Sequence, residues 1–265
     1  MRILVVTPTL GESPWLAETV ASVATLPCPH RHVLVAPAGR VAALQQRFPE
    51  VDVRAEPGGG MYAAINAGIE AGRDWTAFTY LNDDDVLLPG FAAVGDALPR
   101  EVPALAYGSV RLIDGRGRRL GAIPVSRFPA HNRALYAQRL EPVYQHGTLI
   151  TRAAWERHGG FDPAFRLCGD SEFLARLCTA GVPAIHVPGE VAAFRLHARQ
   201  QTKQREAMRA ERDRVDAKLG LLAPPPFPSA GWARVCFRTA NLPVYLERVA
   251  RHGFISFDQL LERGR

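Results

Sequence analysis

Apolar positions change period repeatedly along the first hundred residues. "RILVVTP" is a short β-branched run closed by Pro8, which predicts a strand. In "PWLAETVASVATL" Trp15, Leu16, Val20, Val23 and Leu26 recur at helical spacing, and Ser13 before Pro14 predicts an N-cap with proline in the first turn. "HVLVAPAG" and "VAALQQRF" repeat the strand–helix alternation. "VDVRAE" starts a third round, broken by Pro57-Gly58-Gly59-Gly60 before the helical "MYAAINAGIEAG". "WTAFTYL" is a fourth strand running into Asn82-Asp83-Asp84-Asp85. This alternation predicts a doubly wound α/β fold with a parallel sheet, in which ligands bind outside the C-terminal strand ends. Thr7, the glycine turn and the aspartates all fall at such ends.

The second half is less regular. "ALAYGSVRLID" and "GRGRRLGAIPV" predict a hairpin closed at Asp114-Gly115. "HGTLITRAAWERHGGFD" predicts a strand feeding a short helix that stops at Gly159-Gly160. "DSEFLARLCTAG" predicts a helix with Asp170, Ser171 and Glu172 in its first turn. "PAIHVPG" and "EVAAFRLH" read as two strand segments. Beyond Thr202 a charged helix, the proline-rich linker "APPPFPSAG" and a helical stretch from Trp232 to Arg265 predict a C-terminal extension.

Composition narrows the class. The chain has 265 residues, 47% hydrophobic and 22% charged, enough for one large α/β domain with an appendage. Cys28, Cys168, Cys178 and Cys236 form no CxxC pair, which fits reduced cytosolic thiols and excludes a zinc site of that pattern. The opening apolar run is too short for a signal peptide core, and no stretch approaches the ~18 apolar residues of a membrane span. The net charge of +6 gathers partly in Arg195, Arg199, Lys203, Arg205, Arg209, Arg212 and Arg214. A solvated helix face is the plain reading of that run. Contact with anionic headgroups or a diphosphate is the sharper one. Nucleic acid is not expected, because the run lacks interleaved aromatics.

Three consecutive carboxylates at the end of a buried strand repel one another, so Asp83-Asp84-Asp85 invites a hard divalent cation that bridges substrate phosphates. An exposed acidic turn would need no cation, but the apolar flanks "FTYL" and "VLL" argue against exposure. The glycine triplet lacks both the GxGxxG spacing of dinucleotide folds and the ending of a P-loop. It does suit close approach of backbone N–H groups to an anion.

Four stretches in order resemble the family 2 glycosyltransferases, inverting enzymes of GT-A fold typical of bacterial polysaccharide assembly. They are "VVTPTLGESPWLAETVASV", "GGGMYAAINAGIEAGRDWTAFTYLNDDDVLLPG", "QHGTLITRAAWERHGGFDPAF" and "CGDSEFLARLCTAG", covering roughly Arg2 to His197. The resemblance implies a GT-A catalytic domain over 1–203, with a nucleotide-sugar half (1–100) and an acceptor half (101–203), followed by a helical extension over 204–265. It implies Asp170 as general base, with Glu172 as second choice. It implies Mn²⁺ or Mg²⁺ at Asp84 and Asp85 with His197, and contacts to the nucleotide sugar from Thr7, Pro8, Thr9, Glu12, Asn66, Asp83, Gln145 and His146. The expected donor is a UDP-sugar and the expected acceptor a saccharide or lipid-linked hydroxyl. The expected location is cytoplasmic, with peripheral contact at the inner membrane face through the basic C-terminal segment.

The sequence departs from that pattern where the nucleotide would be read. Asn82 stands where the family's DxD opens with Asp, Ala36-Pro37 where an Asp reads the base, and Gly58 and Ala63 where acids are common. Two other readings therefore stay open. One is a degenerate nucleotide-sugar-binding scaffold, which need not keep Asp170 and the acidic cluster. The other is a sugar-1-phosphate nucleotidylyltransferase, although "TPTLGESPW" lacks the basic residue that class carries.

Overall fold

The computed structural model describes residues 1–197, 205–221 and 229–253. Most of the proline-rich linker and the last stretch of the C-terminal helical expectation lie outside those residues. The strand–helix alternation of the first hundred residues is observed as β1 (Ile3–Pro8), α1 (Leu16–Ala24), β2 (His30–Ala36), α2 (Val41–Arg47), β3 (Asp52–Ala55), α3 (Met61–Ala71) and β4 (Ala77–Tyr80). A two-residue strand β5 (Val86–Leu87) and the helix α4 (Phe91–Ala97) complete this half. Strands β3-β2-β1-β4 pair in parallel, so their C-terminal ends lie on one edge. Their apolar side chains fill both faces: Leu4, Val6, Val33 and Val35 pack toward α3, and Ile3 and Val5 toward α4.

The second half adds β6 (Leu105–Asp114), β7 (Arg119–Ile123), α5 (Asn132–Tyr136), β8 (Leu149–Thr151), α6 (Arg152–His158), α7 (Gly169–Thr179) and β9 (Ala184–Leu196). Strand β8 joins β4 antiparallel and carries the sheet onward in the order β8-β6-β9-β5, with β7 hairpinned onto β6. The whole is a mixed nine-stranded sheet flanked by helices, the fold class expected. The hairpin at Asp114-Gly115 and the stop of α6 at Gly159 (φ +77°) are found as predicted.

Three local expectations are corrected. Ser13 is no N-cap of α1, which starts at Leu16 without a side-chain cap; the Ser13 hydroxyl instead donates to the Asp83 carbonyl at 2.8 Å. "PAIHVPG" and "EVAAFRLH" are one thirteen-residue strand, β9, whose pairing to β6 shifts register around Ser109, opposite the Pro-Gly segment. The basic run is not wholly a solvated face: Arg195 is buried and Arg212 half-buried, while Arg209 and Arg214 are exposed. Helix α8 (Arg205–Leu219) buries Val215, and Leu221 behind it reaches the main core.

Several charges of α8 are answered within the chain. The Glu211 carboxylate accepts the backbone N–H groups of Arg166, Leu167 and Cys168 at 2.8–2.9 Å. Arg212 pairs with Glu141 at 2.6 Å, and Lys218 bridges Asp162 and Glu172. Helices α9 (Ser229–Ala240) and α10 (Leu242–His252) follow. Phe237 of α9 packs on Leu135 of α5, Asn241 exchanges two hydrogen bonds with the Val125 backbone, and Glu247 pairs with Arg119 of β7.

Candidate active site

The parallel half sends three segments to one edge. After β1 comes Thr9, whose N–H donates to Val35 O and whose hydroxyl donates to Asp83 Oδ2. After β3 come Gly58, Gly59 and Gly60, all at φ between +82° and +97°, a backbone that L side chains rarely adopt. Gly60 has a second constraint: a Cβ there would collide with the Arg166 guanidinium, which donates to Gly59 O. After β4 come the aspartates, and their three carboxylates have three different fates.

Asp83 accepts from Thr9; burial pushes its carboxyl up to about 6, with the neighbouring Asp84 charge adding to the rise. Asp84 Oδ2 lies 2.7 Å from His197 Nε2. Burial, then the Asp85 charge, raises the Asp84 carboxyl, and His197 opposes that rise. Asp85 is fully buried. It accepts the Arg195 backbone N–H at 2.9 Å and the Asn82 amide at 3.1 Å, and His146 Nε2 is 3.2 Å away without hydrogen-bond alignment.

Behind the cluster lies Arg195, only 1% exposed. Its guanidinium donates to the Asp84 carbonyl at 2.8 Å and to Glu18 Oε2 at 2.6 Å. Trp15 covers this group: the Arg195 guanidinium lies 5.3 Å from its ring, and the His197 ring lies tilted against it with centroids 4.6 Å apart. Sequence reasoning counts Arg195 in the basic run and Trp15 in a helical core stripe. The only signal for their role is an arginine two residues before the histidine already singled out.

Across the crevice Asp170 stands in the first turn of α7, beside Gly169, where a Cβ would strike the Tyr62 ring. Tyr62 donates to Asp170 Oδ1 at 3.0 Å. Burial, then the Glu141 charge, raises the Asp170 carboxyl; the Ser171 N–H and Tyr62 oppose that rise. His146 opposes the rise at both Asp84 and Asp170.

Other sequence candidates lie elsewhere. Thr7 is fully buried, 2.9 Å from His32 Nε2. Asn66 is consumed by the Gly-Gly-Phe turn, donating to Phe161 O at 2.7 Å and accepting its N–H at 3.0 Å. Glu12 is exposed and paired with Arg40 at 2.6 Å, while Pro8 is half-buried between Thr7 and Thr9. Gln145 lines an internal cavity of about 10 Å³ with Thr148, Phe161 and Phe173, and its Oε1 has no partner there. Glu172, the second-choice base, is fully buried and bound by Arg176 and Lys218, so it has no free face toward the crevice.

Asp84 and His197 are the residues that would hold a divalent cation here. The two touch each other, are 18% and 13% exposed, and offer one carboxylate oxygen and one imidazole nitrogen. Asp85 has both oxygens engaged inside the fold and does not join them. Among the described residues no group of three or more His, Cys, Asp or Glu side chains forms a metal cage, so a cation here would complete its shell with water and phosphate oxygens.

No family model and no curated protein matches this sequence. Solved structures do match it in fold. S. aureus TarS 1–349 aligns with 99% of this chain and 78% of its own at 14% identity and a TM-score of 0.61. TarS 1–349 in complex with UDP-GlcNAc aligns with 95% of this chain and 79% of its own, at the same identity and TM-score. Against the longer S. aureus TarS structure the chain spans 45% of the length. Mannosyltransferase PcManGT from Pyrobaculum calidifontis, in complex with GDP-Man and Mn²⁺, aligns with 99% of this chain and 79% of its own at 18% identity and a TM-score of 0.60. The chain therefore has the GT-A fold that these glycosyltransferase structures share.

Proposed function

We propose that this protein is a glycosyltransferase that moves a sugar from a nucleoside-diphosphate sugar to an acceptor hydroxyl with inversion at C1. The reading is supported by two carboxylates, Asp84 paired with His197 after β4 and Asp170 accepting from Tyr62 at the start of α7, both under the electrostatic influence of His146. In this reading the acceptor oxygen attacks C1 as its proton passes to Asp170. The C1–O bond to the diphosphate breaks, and its electron pair leaves with the nucleoside diphosphate. A divalent cation held by Asp84 and His197 would supply positive charge for that departing group. Thr9 and Asp83 would meet the nucleotide side of the donor, and the positive-φ glycines would let the chain approach it closely.

A UDP-sugar is the first donor to try, and a saccharide or lipid-linked hydroxyl the acceptor class. The TarS and PcManGT structures hold UDP-GlcNAc and GDP-Man respectively, which supports the nucleoside-diphosphate class and leaves the base open. Peripheral membrane contact through the C-terminal segment belongs to the same proposal. The test is a thermal-shift panel of UDP, GDP and their sugars with and without Mn²⁺, followed by the anomeric configuration of any product. Cation-dependent stabilisation and an inverted product support the reading. Stabilisation by donor with no turnover across acceptors favours a binding protein, and retained configuration removes the single-displacement mechanism.

A further inference from the structure

Among the described residues, helices α9 and α10 are fastened on one side only. Ala233, Phe237, Asn241 and Glu247 hold them to α5, Val125 and β7. On the other side α9 exposes Trp232 and Val235, with Thr239 continuing the stripe, and α10 exposes Leu242 and Leu246. Spacings of three and four residues put each set on one helix face. The two stripes run into a single groove of about 550 Å³ lined by Leu140, Phe237, Arg238, Thr239, Leu242 and Tyr245. Four of the seven large apolar side chains exposed among the described residues lie on these two helices, so the exposure is concentrated there.

The charge beside this face differs from that of α8. Arg212 and Lys218 are spent on Glu141, Asp162 and Glu172, and Arg214 covers the Phe165 ring. Arg234 and Arg238, four residues apart on α9, are exposed and form no ion pair among the described residues. They flank the Trp232–Val235–Thr239 stripe. An apolar strip carrying a tryptophan and edged by unspent guanidinium groups is complementary to an anionic lipid surface, where phosphates meet the arginines and acyl chains meet the apolar side chains. A second copy is a poorer occupant, because a two-fold pairing through this face would bring Arg234 and Arg238 close to their own counterparts.

We propose that the α9–α10 face docks on anionic membrane surfaces, with Trp232, Val235, Leu242 and Leu246 entering the headgroup–acyl boundary and Arg234 and Arg238 meeting lipid phosphates. This rests on the peripheral contact proposed above and narrows it, within the C-terminal segment, to α9 and α10. The test is flotation of the full chain with phosphatidylcholine vesicles and with mixed phosphatidylcholine–phosphatidylglycerol vesicles. The expected result is flotation with the anionic vesicles, weakened by salt, with a blue shift of emission that Trp232→Phe removes. Leu246→Glu should cut vesicle affinity by about tenfold or more through lost apolar burial, and Arg234→Glu with Arg238→Glu by at least about thirtyfold, since each arginine near an anionic surface adds about 1 kcal/mol. Their melting temperatures and nucleotide-induced shifts should match wild type, because these positions are exposed and outside the crevice. A wild-type chain that does not float overturns both the docking face and the peripheral contact. Flotation that survives all these variants overturns the face alone. A dimer that Leu246→Glu dissolves, without vesicle binding, overturns the proposal in favour of a second copy. None of these readouts depends on sugar transfer.

Discussion

Tyr62 donates its phenolic hydrogen to Asp170 Oδ1 at 3.0 Å, and that bond favours the ionised carboxylate against burial and the Glu141 charge. The two residues are brought together by Gly169, which lets the start of α7 lie against the Tyr62 ring. If Asp170 is the base, removing the hydroxyl should raise its pKa further. Tyr62→Phe is expected to move the acidic limb of the kcat/KM profile to higher pH by roughly one unit, since a hydrogen bond to a charged group contributes about 1.5–3 kcal/mol and other donors remain. Donor affinity should not change. An unmoved limb would detach Tyr62 from the proton transfer.

Asp170→Asn keeps the size and the hydrogen bond from Tyr62 but removes the basicity. Transfer should fall by about 10²–10⁴ while nucleotide-induced stabilisation stays at the wild-type level. Near-normal transfer by this variant would sink the base assignment. Glu172→Gln is a contrasting control. It should lower the melting temperature, because the buried Glu172 holds Arg176 and Lys218, and it should not shift the pH profile.

How much of this site can be read from the chain depends on how far apart its parts lie. The parallel half is legible because each strand and helix pair is local and its apolar period switches visibly between "RILVVTP", "PWLAETVASV" and the segments after them. Asp84 and Asp170 are singled out by the order of motifs, and His197 by the resemblance alone. Arg195 is not, because its approach to Asp84 depends on β9 lying between β6 and β5, a register set by contacts about a hundred residues apart. Asn66 and Thr7 mislead for the opposite reason. They sit in motifs that surround the crevice, yet their side chains are spent on Phe161 and His32. Period and motif locate a residue along an element; they do not give the direction of its polar atoms.

The acidic edge carries a stability penalty whose sign can be worked out. The Asp83 carboxyl titrates at about 6 in the fold, above the ordinary 3.8, so the folded state holds the proton more tightly than the unfolded chain. Stability from this group is therefore full at low pH and falls as pH rises through that window. Asp83→Asn should raise the melting temperature of the ligand-free protein above pH 6 and lose that advantage below about pH 4. His32, buried and held down to about 3, acts in the opposite sense by destabilising the fold as pH falls below 6.5, so the comparison must be wild type against variant at each pH. A constant difference from pH 4 to 8 would contradict the assignment.

A cation at Asp84 and His197 should relieve the same repulsion. Mn²⁺ with UDP or GDP is expected to raise the wild-type melting temperature, and Asp84→Asn should abolish the cation-dependent part while leaving the fold intact. His197→Ala should weaken it less, because the carboxylate remains. Equal nucleotide stabilisation in excess chelator would count against this arrangement.

Glu211 links the extension to the chemistry. Its carboxylate gathers three successive N–H groups from Arg166, Leu167 and Cys168, the residues that lead directly into the turn bearing Asp170. Glutamine can present only one acceptor oxygen, so Glu211→Gln leaves buried donors facing an amide NH₂. The expected cost is about 2–4 kcal/mol of stability, together with a fall in kcat larger than any change in donor affinity. Ending the chain before Ala223 keeps α8 and should preserve this bond and donor binding. Ending it before Arg205 removes Glu211, Val215 and Leu221 together and should leave no cooperative unfolding transition. A shortened chain of the second kind that still melts cooperatively and binds nucleotide would make α8 an accessory to the fold rather than part of it.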